Sequence, residues 1–187
     1  MRRSLQWFGV AALAFAVVTA GPSFAQKSMP AGQAAKPMQD GNRGMLEIKL
    51  KGKGVSLNYG RPDMKGRDML GMAPDGFVWR FGMNESTTFK TDSDLMFGDK
   101  KLAKGSYSAW IKHIKGEQWT LVFNKEVGVW GMPGAKREND VLEVPLTYSK
   151  KGGNLEKLTV EFMEMGGGGH MVVNWGMHRL EVMFKGM

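Results

Sequence analysis

From Met45 to the C-terminus, apolar positions recur every second residue. Leu46, Ile48 and Leu50 alternate with Glu47, Lys49 and Lys51, and Val55, Leu57 and Tyr59 alternate with Ser56 and Asn58. Trp119, Leu121 and Phe123 form one face of a third run, Leu142, Val144, Leu146 and Tyr148 of a fourth, and Leu158, Val160 and Phe162 of a fifth. Met171, Val173 and Trp175 lead into Leu180, Val182 and Phe184. A period of two over many short segments marks half-buried strands, one face inward and one wet. Turn residues separate them: Gly52-Lys53-Gly54, Gly98-Asp99-Lys100, Lys115-Gly116, Gly152-Gly153-Asn154 and the four glycines from Gly166 to Gly169. Long segments of period 3.6 are absent. The pattern predicts an all-β fold, an antiparallel β-sandwich of jelly-roll-like or Ig-like type, as a single domain over 44–187. Trp119, Leu121, Phe123, Val144, Leu146, Val160 and Phe162 are its expected core.

Two stretches break the rule. Residues 61–76 carry Pro62, Gly66, Gly71 and Pro74 and do not alternate, which predicts a long loop with one helical turn around Asp68 to Leu70. Pro145 lies inside a strand-like run, and its missing N–H requires an edge or a bulge there.

The chain start reads differently. Arg2 and Arg3 precede an uncharged apolar run of roughly 13 residues from Phe8 to Ala20, followed by Gly21-Pro22 and the small residues of Ser23-Phe24-Ala25. This is the three-part pattern of a secretory signal, too short to span a bilayer as a helix. Residues 1–25 are the expected signal peptide, cut between Ala25 and Gln26. Residues 26–43 hold Pro30, Pro37 and few large apolar side chains, and read as a flexible linker. The expectation is an exported protein, periplasmic or secreted, with no transmembrane span after cleavage.

Among 187 residues there is no Cys, which excludes a disulfide framework, a thiolate metal site and a Cys nucleophile. The net charge of +8 allows an anionic cell-envelope component as partner. Lys49, Lys51 and Lys53 on one strand equally serve to block edge pairing. No aromatic–basic interleaving of the nucleic-acid type accompanies the charge, so nucleic acid is not an expected partner. The motifs of a nucleophile elbow, a phosphate loop and a dinucleotide site are all missing. His113, His170 and His178 have no chelate spacing, and neither a metal nor another cofactor is expected. The glycines from Gly166 to Gly169 suggest a mobile turn. The 16 Met include Met69, Met72, Met163 and Met165, but they are scattered, which favours packing over a thioether copper site.

Chemistry concentrates between Arg61 and Glu85. Arg61, Lys65, Arg67 and Arg80 supply four cations, and Asn84 and Glu85 follow at once. One reading is a pocket for a small polar or anionic ligand, with Arg61 and Arg80 as forks and Trp79 as a stacking wall. The other is structural: a largely buried Arg80 paired with Glu85 or another acid. Five residues apart, these two meet only if the strand breaks, so an irregularity is expected at Gly82 to Asn84. A rival functional reading makes the chain a small enzyme, with Glu85 as base and Arg80 and Asn84 as oxyanion donors.

The runs Tyr59-Gly-Arg-Pro-Asp-Met-Lys-Gly-Arg67 and Phe77-Val-Trp-Arg-Phe-Gly-Met-Asn-Glu-Ser-Thr-Thr88 resemble the Domain of Unknown Function 2911 family (DUF2911). Leu102-Ala-Lys-Gly-Ser-Tyr107, Trp119, Asn124 and Trp130-Gly131 fall in that family's order. The resemblance covers Leu46 to the C-terminus. Phe81, Met83 and the segment Met132-Pro-Gly-Ala-Lys-Arg137 depart from the family's pattern. The resemblance implies an exported, mostly β domain and no established activity.

Overall fold

The alternating runs become strands with their apolar faces turned inward. A computed structural model describes residues 41–187. The expected signal peptide, its Ala25/Gln26 cleavage site and the linker up to residue 40 lie outside the described residues. The linker's last expected residue, Arg43, already opens a strand.

In chain order the strands are β1 (Arg43–Leu50), β2 (Lys53–Gly60), β3 (Val78–Trp79), β4 (Thr87–Thr91), β5 (Leu95–Phe97) and β6 (Lys100–Leu102). They continue with β7 (Gly105–Lys115), β8 (Gln118–Asn124), β9 (Asp140–Ser149), β10 (Leu155–Met165), β11 (Gly168–Gly176) and β12 (His178–Gly186). One short 3-10 turn, Arg137–Asn139, is the only helical element among the described residues.

All neighbours pair antiparallel, in the order β1-β2-β4-β7-β8-β9-β12-β11-β10, with β3 on β7 and the β5–β6 hairpin on β12. The two ends of this path come together. β1 packs beside β10. Beyond β2 the chain bonds β10 directly, through Leu158 N–H to the Pro62 carbonyl (2.9 Å) and Met64 N–H to the Glu156 carbonyl (2.8 Å). The result is a single all-β domain with a nearly closed, barrel-like sheet.

The seven expected core residues are all buried. The centre is aromatic: Phe89 of β4 meets Phe123 of β8 edge-on at 5.1 Å, and Phe162 of β10 and Phe184 of β12 at 6.2 and 6.1 Å. Such edge-to-face pairs add to the stabilisation that burial alone gives.

Two local expectations change. Pro145 sits in an interior strand, paired to Thr120 of β8. On its other side, however, β9 bonds β12 only over Thr147 to Ser149, so at Pro145 the strand is one-sided and its missing N–H costs nothing. The four glycines are not one mobile turn. Gly166 and Gly167 make a two-residue hairpin turn with positive φ (57° and 77°), while Gly168 and Gly169 are buried strand residues of β11. The 61–76 segment is a loop as expected. Its turn at Asp68 closes by the Met72 N–H to the Asp68 carbonyl (3.0 Å). No helix among the described residues is long and apolar enough to cross a membrane.

Candidate functional site

Two glycines bring the two most distinctive sequence runs together. A β-carbon at Gly60 would lie 2.3 Å from the Met83 carbonyl oxygen, and one at Gly82 would lie 2.9 Å from the Gly60 carbonyl oxygen. Only residues without side chains pass that closely. Around them the backbone leaves strand geometry: φ is +49° at Phe81, +142° at Gly82 and +62° at Asn84. A bulky residue such as Phe81 enters this region at a cost of order 1–3 kcal/mol and stays only when its surroundings hold it. Here Phe81 is fully buried, and the Thr87 hydroxyl donates to its carbonyl. The irregularity expected at Gly82 to Asn84 is therefore present and begins one residue earlier.

The turn aims two side chains at one point. Trp79 Nε1 (3.3 Å) and Arg80 Nε (3.4 Å) both donate to the Gly82 carbonyl. Trp79 stacks on Trp175 of β11, with centroids 5.3 Å apart and 16° between planes. Arg80 lies across Gly131, where a β-carbon would come within 2.3 Å of its guanidinium. These groups border an open cleft of about 390 Å3 that is also lined by Met64, Arg67 and Met69 of the long loop and by Met83 and Met132. Its walls are aromatic and thioether surface, and its charged groups are Arg67, Arg80 and Asp63.

Of the expected ligand residues, Arg67, Trp79 and Arg80 line this cleft. Arg61, Lys65, Asn84 and Glu85 do not. Arg61 is buried, and its Nε donates to the Leu158 carbonyl of β10 (3.3 Å), so it ties β2 to β10. Lys65 is exposed, and its backbone N–H donates to the Glu156 carboxylate (2.7 Å). Asn84 and Glu85 are exposed, and Glu85 forms an isolated backbone bridge to Trp130. The expected Arg80–Glu85 ion pair is not formed. Arg80 is half-buried and has no carboxylate partner among the described residues. The reason is local: the positive-φ turn carries residue 85 out toward Trp130, away from the guanidinium.

A second cleft, of about 450 Å3, opens on the other side of the same loop. Along the loop, Arg67 and Met69 line the first cleft while Asp68 and Leu70 line the second. The β11–β12 turn divides likewise, giving Trp175 to the first and His178 to the second. In the second cleft His178 bridges two groups: Nε2 is 2.8 Å from Asp68 Oδ1, and Nδ1 is 2.8 Å from the Tyr148 hydroxyl. Burial works against the charge on Asp68, but the hydrogen bonds from His178 and the Gly71 N–H and the charge of Lys150 outweigh it. They hold its carboxyl below the ordinary range. Burial, with Glu117 and Asp68 nearby, pushes the Tyr148 phenol up. Among the described residues no group of three or more His, Asp or Glu could hold a metal ion.

Sequence reasoning missed Met64, Met132 and Trp175 as walls of the first cleft, and the Asp68–His178–Tyr148 chain altogether. These residues are far apart in sequence, Asp68 and His178 by 110 positions, and no spacing rule links them. A β-carbon at Gly71 would lie 2.3 Å from the exposed Asp68 carboxylate, a contact visible only in the fold.

A family model described as "Protein of unknown function (DUF2911)" matches residues 42–184. The chain belongs to this family. No curated protein and no solved structure matches it.

Proposed function

We propose, from the secretory-type start of the sequence and the geometry of the first cleft, that the protein is an exported binding module of the cell envelope that takes an amphipathic anion. The ligand carries a carboxylate or phosphate for Arg80 and Arg67 and an apolar body for the aromatic and methionine walls. The observation that carries this reading is Arg80. It is half-buried, held by its Nε on the Gly82 carbonyl, and without a carboxylate partner among the described residues. Such a guanidinium keeps its outer nitrogens for an incoming anion. Met64, Met69, Met83 and Met132 suit an adaptable apolar surface better than a soft metal, because two arginines beside them oppose a cation. The cleft's size is in the usual range for small-ligand sites. The rival enzyme reading has less support, since Asn84 and Glu85 stand outside the cleft. In this reading the sheet is a sandwich, β1-β2-β4-β7-β8 facing β10-β11-β12 across the phenylalanine centre, with one side nearly sealed.

The test is a thermal shift of the mature protein with decanoate, decyl phosphate and uncharged decanol. A ligand of the folded state raises Tm as RT ln(1 + [L]/Kd) grows. The anions are expected to raise Tm more than decanol, and Arg80→Met to remove the difference while leaving the unliganded Tm close to the parent. Equal shifts with decanol, or no shift with any probe, would refute anion binding. The export part is checked by mass spectrometry of the exported protein, which is expected to begin at Gln26.

A further inference from the structure

The second cleft holds an arrangement that anion binding does not use. His178 is buried, its side chain 6% exposed, while the Asp68 carboxylate beside it is half in solvent. Two contacts fix the backbone that carries the imidazole. The Gly152 N–H donates to the Met177 carbonyl (2.9 Å), which clamps the β11–β12 turn. A β-carbon at Gly152 would lie 2.3 Å from the His178 carbonyl oxygen, so the backbones there are in contact. Asp68 is fixed in turn by the Gly71 N–H on Oδ1 (2.9 Å).

Proton positions follow from the donor inventory. An ionised Asp68 only accepts, so His178 Nε2 carries a hydrogen toward it. In the neutral ring Nδ1 is then an acceptor, and the Tyr148 O–H donates to it. A hydroxyl on a base, with that base oriented by a carboxylate, is the arrangement that activates a nucleophile. Here all three groups border one open cleft, and Lys150 lines it as well.

We propose that Tyr148 is a nucleophile for acyl transfer from short carboxylic esters, with His178 as its general base and Asp68 as a positioning residue. Tyr148 Oη attacks the ester carbonyl carbon and its proton passes to His178 Nδ1. The bond to the leaving oxygen breaks, and His178 returns the proton to that oxygen, leaving an acetylated or otherwise acylated tyrosine. Water then attacks the acyl carbon as His178 Nδ1 takes its proton, the bond from that carbon to Tyr148 Oη breaks, the carboxylic acid leaves, and His178 returns the proton to Oη to restore the phenol. Lys150 is the cation in the cleft available to the developing oxyanion. Because burial and two acidic neighbours hold the Tyr148 phenol in its protonated form, the base is needed at the moment of attack rather than beforehand.

The experiment uses p-nitrophenyl acetate and the full mature protein. Nitrophenol release is expected with a burst, and acid-quenched protein is expected to carry an acetyl group on the peptide containing Tyr148. Tyr148→Phe keeps the ring against Trp119 and is expected to abolish both. His178→Ala is expected to slow acylation roughly 10²-fold, the size of one general base. If His178→Ala does not fold, Asp68→Ala replaces it as the second variant, since Asp68 is half exposed. It is expected to lower kcat with KM unchanged, a split that loss of ester binding would not give. Acetylation confined to lysines, or acylation that survives Tyr148→Phe, overturns the proposal, as does no acylation of the parent protein. Decanoate binding at the first cleft is unaffected by any of these outcomes.

Discussion

Gly169 has no room for a side chain. A β-carbon there would sit 2.3 Å from Phe184 Cζ, and Phe184 is itself 2% exposed, packed on Phe89, Phe97 and Phe162. A ring so enclosed cannot step aside, because interiors are close-packed. Gly169→Ala is therefore expected to destabilise by about 1–3 kcal/mol, the usual cost of overpacking, measured by urea unfolding. Gly167→Ala serves as the contrast: nothing lies within 4 Å of its would-be β-carbon, and its cost comes only from positive φ. From the sequence these glycines look alike, a run of four that reads as one loose turn. What separates them is the register of β11 on β12, where Gly169 stands opposite Phe184. Register is a property of two strands together and is not written in either alone.

At the scale of elements, the strands were legible because burial on one face imposes a period of two, and each alternating run became a strand with its apolar face inward. The 61–76 loop was legible only as a loop. Its function depends on which side chains it sends to which cleft, and that is set by partners far along the chain, Glu156, Trp175 and His178. The fate of Arg80 was hidden by a local cause instead: its expected partner is a sequence neighbour that the positive-φ turn carries away. One contact of the loop has a measurable pH signature. Asp68 has a folded-state pKa below its unfolded value, so its contribution to stability is fully present above the ordinary carboxylate pKa of about 3.9. That contribution is lost as pH falls through the lower folded value. Asp68→Asn is expected to cost stability near neutral pH, with the gap to the parent closing on acidification below about pH 4. Paired unfolding curves across that range check it, and a gap that stays constant would remove Asp68 from the acid response. The carboxylate is half exposed, so the effect is modest.

For the whole molecule, the decisive place is the seam where the sheet nearly closes on itself. The backbone does part of this between Pro62–Met64 and Glu156–Leu158. Higher up, side chains take over. Tyr59 of β2 stands opposite Gly44 of β1, and a β-carbon at Gly44 would lie 2.5 Å from the tyrosine ring. The missing side chain lets the phenol cross β1 and reach β10, where its oxygen accepts the Val160 N–H at 3.0 Å. Arg61 stands beside it with Nε on the Leu158 carbonyl. Burial pushes the Tyr59 phenol up, with the Val160 N–H and the Arg61 charge acting against that, so it stays a neutral hydroxyl within the interior. Tyr59 is fully buried, and Tyr59→Phe would leave every apolar contact of the ring in place while stranding a buried N–H. An unsatisfied buried donor costs about 1–3 kcal/mol, and that loss is expected in urea unfolding of the variant. The loss should also be local in origin: hydrogen exchange is expected to quicken along β10 near Val160 before it does in β7 or β8, because the seam is where the ring of strands has the fewest backbone bonds. A variant as stable as the parent, with unchanged exchange at Val160, would mean that the sheet is held shut by its backbone bonds alone.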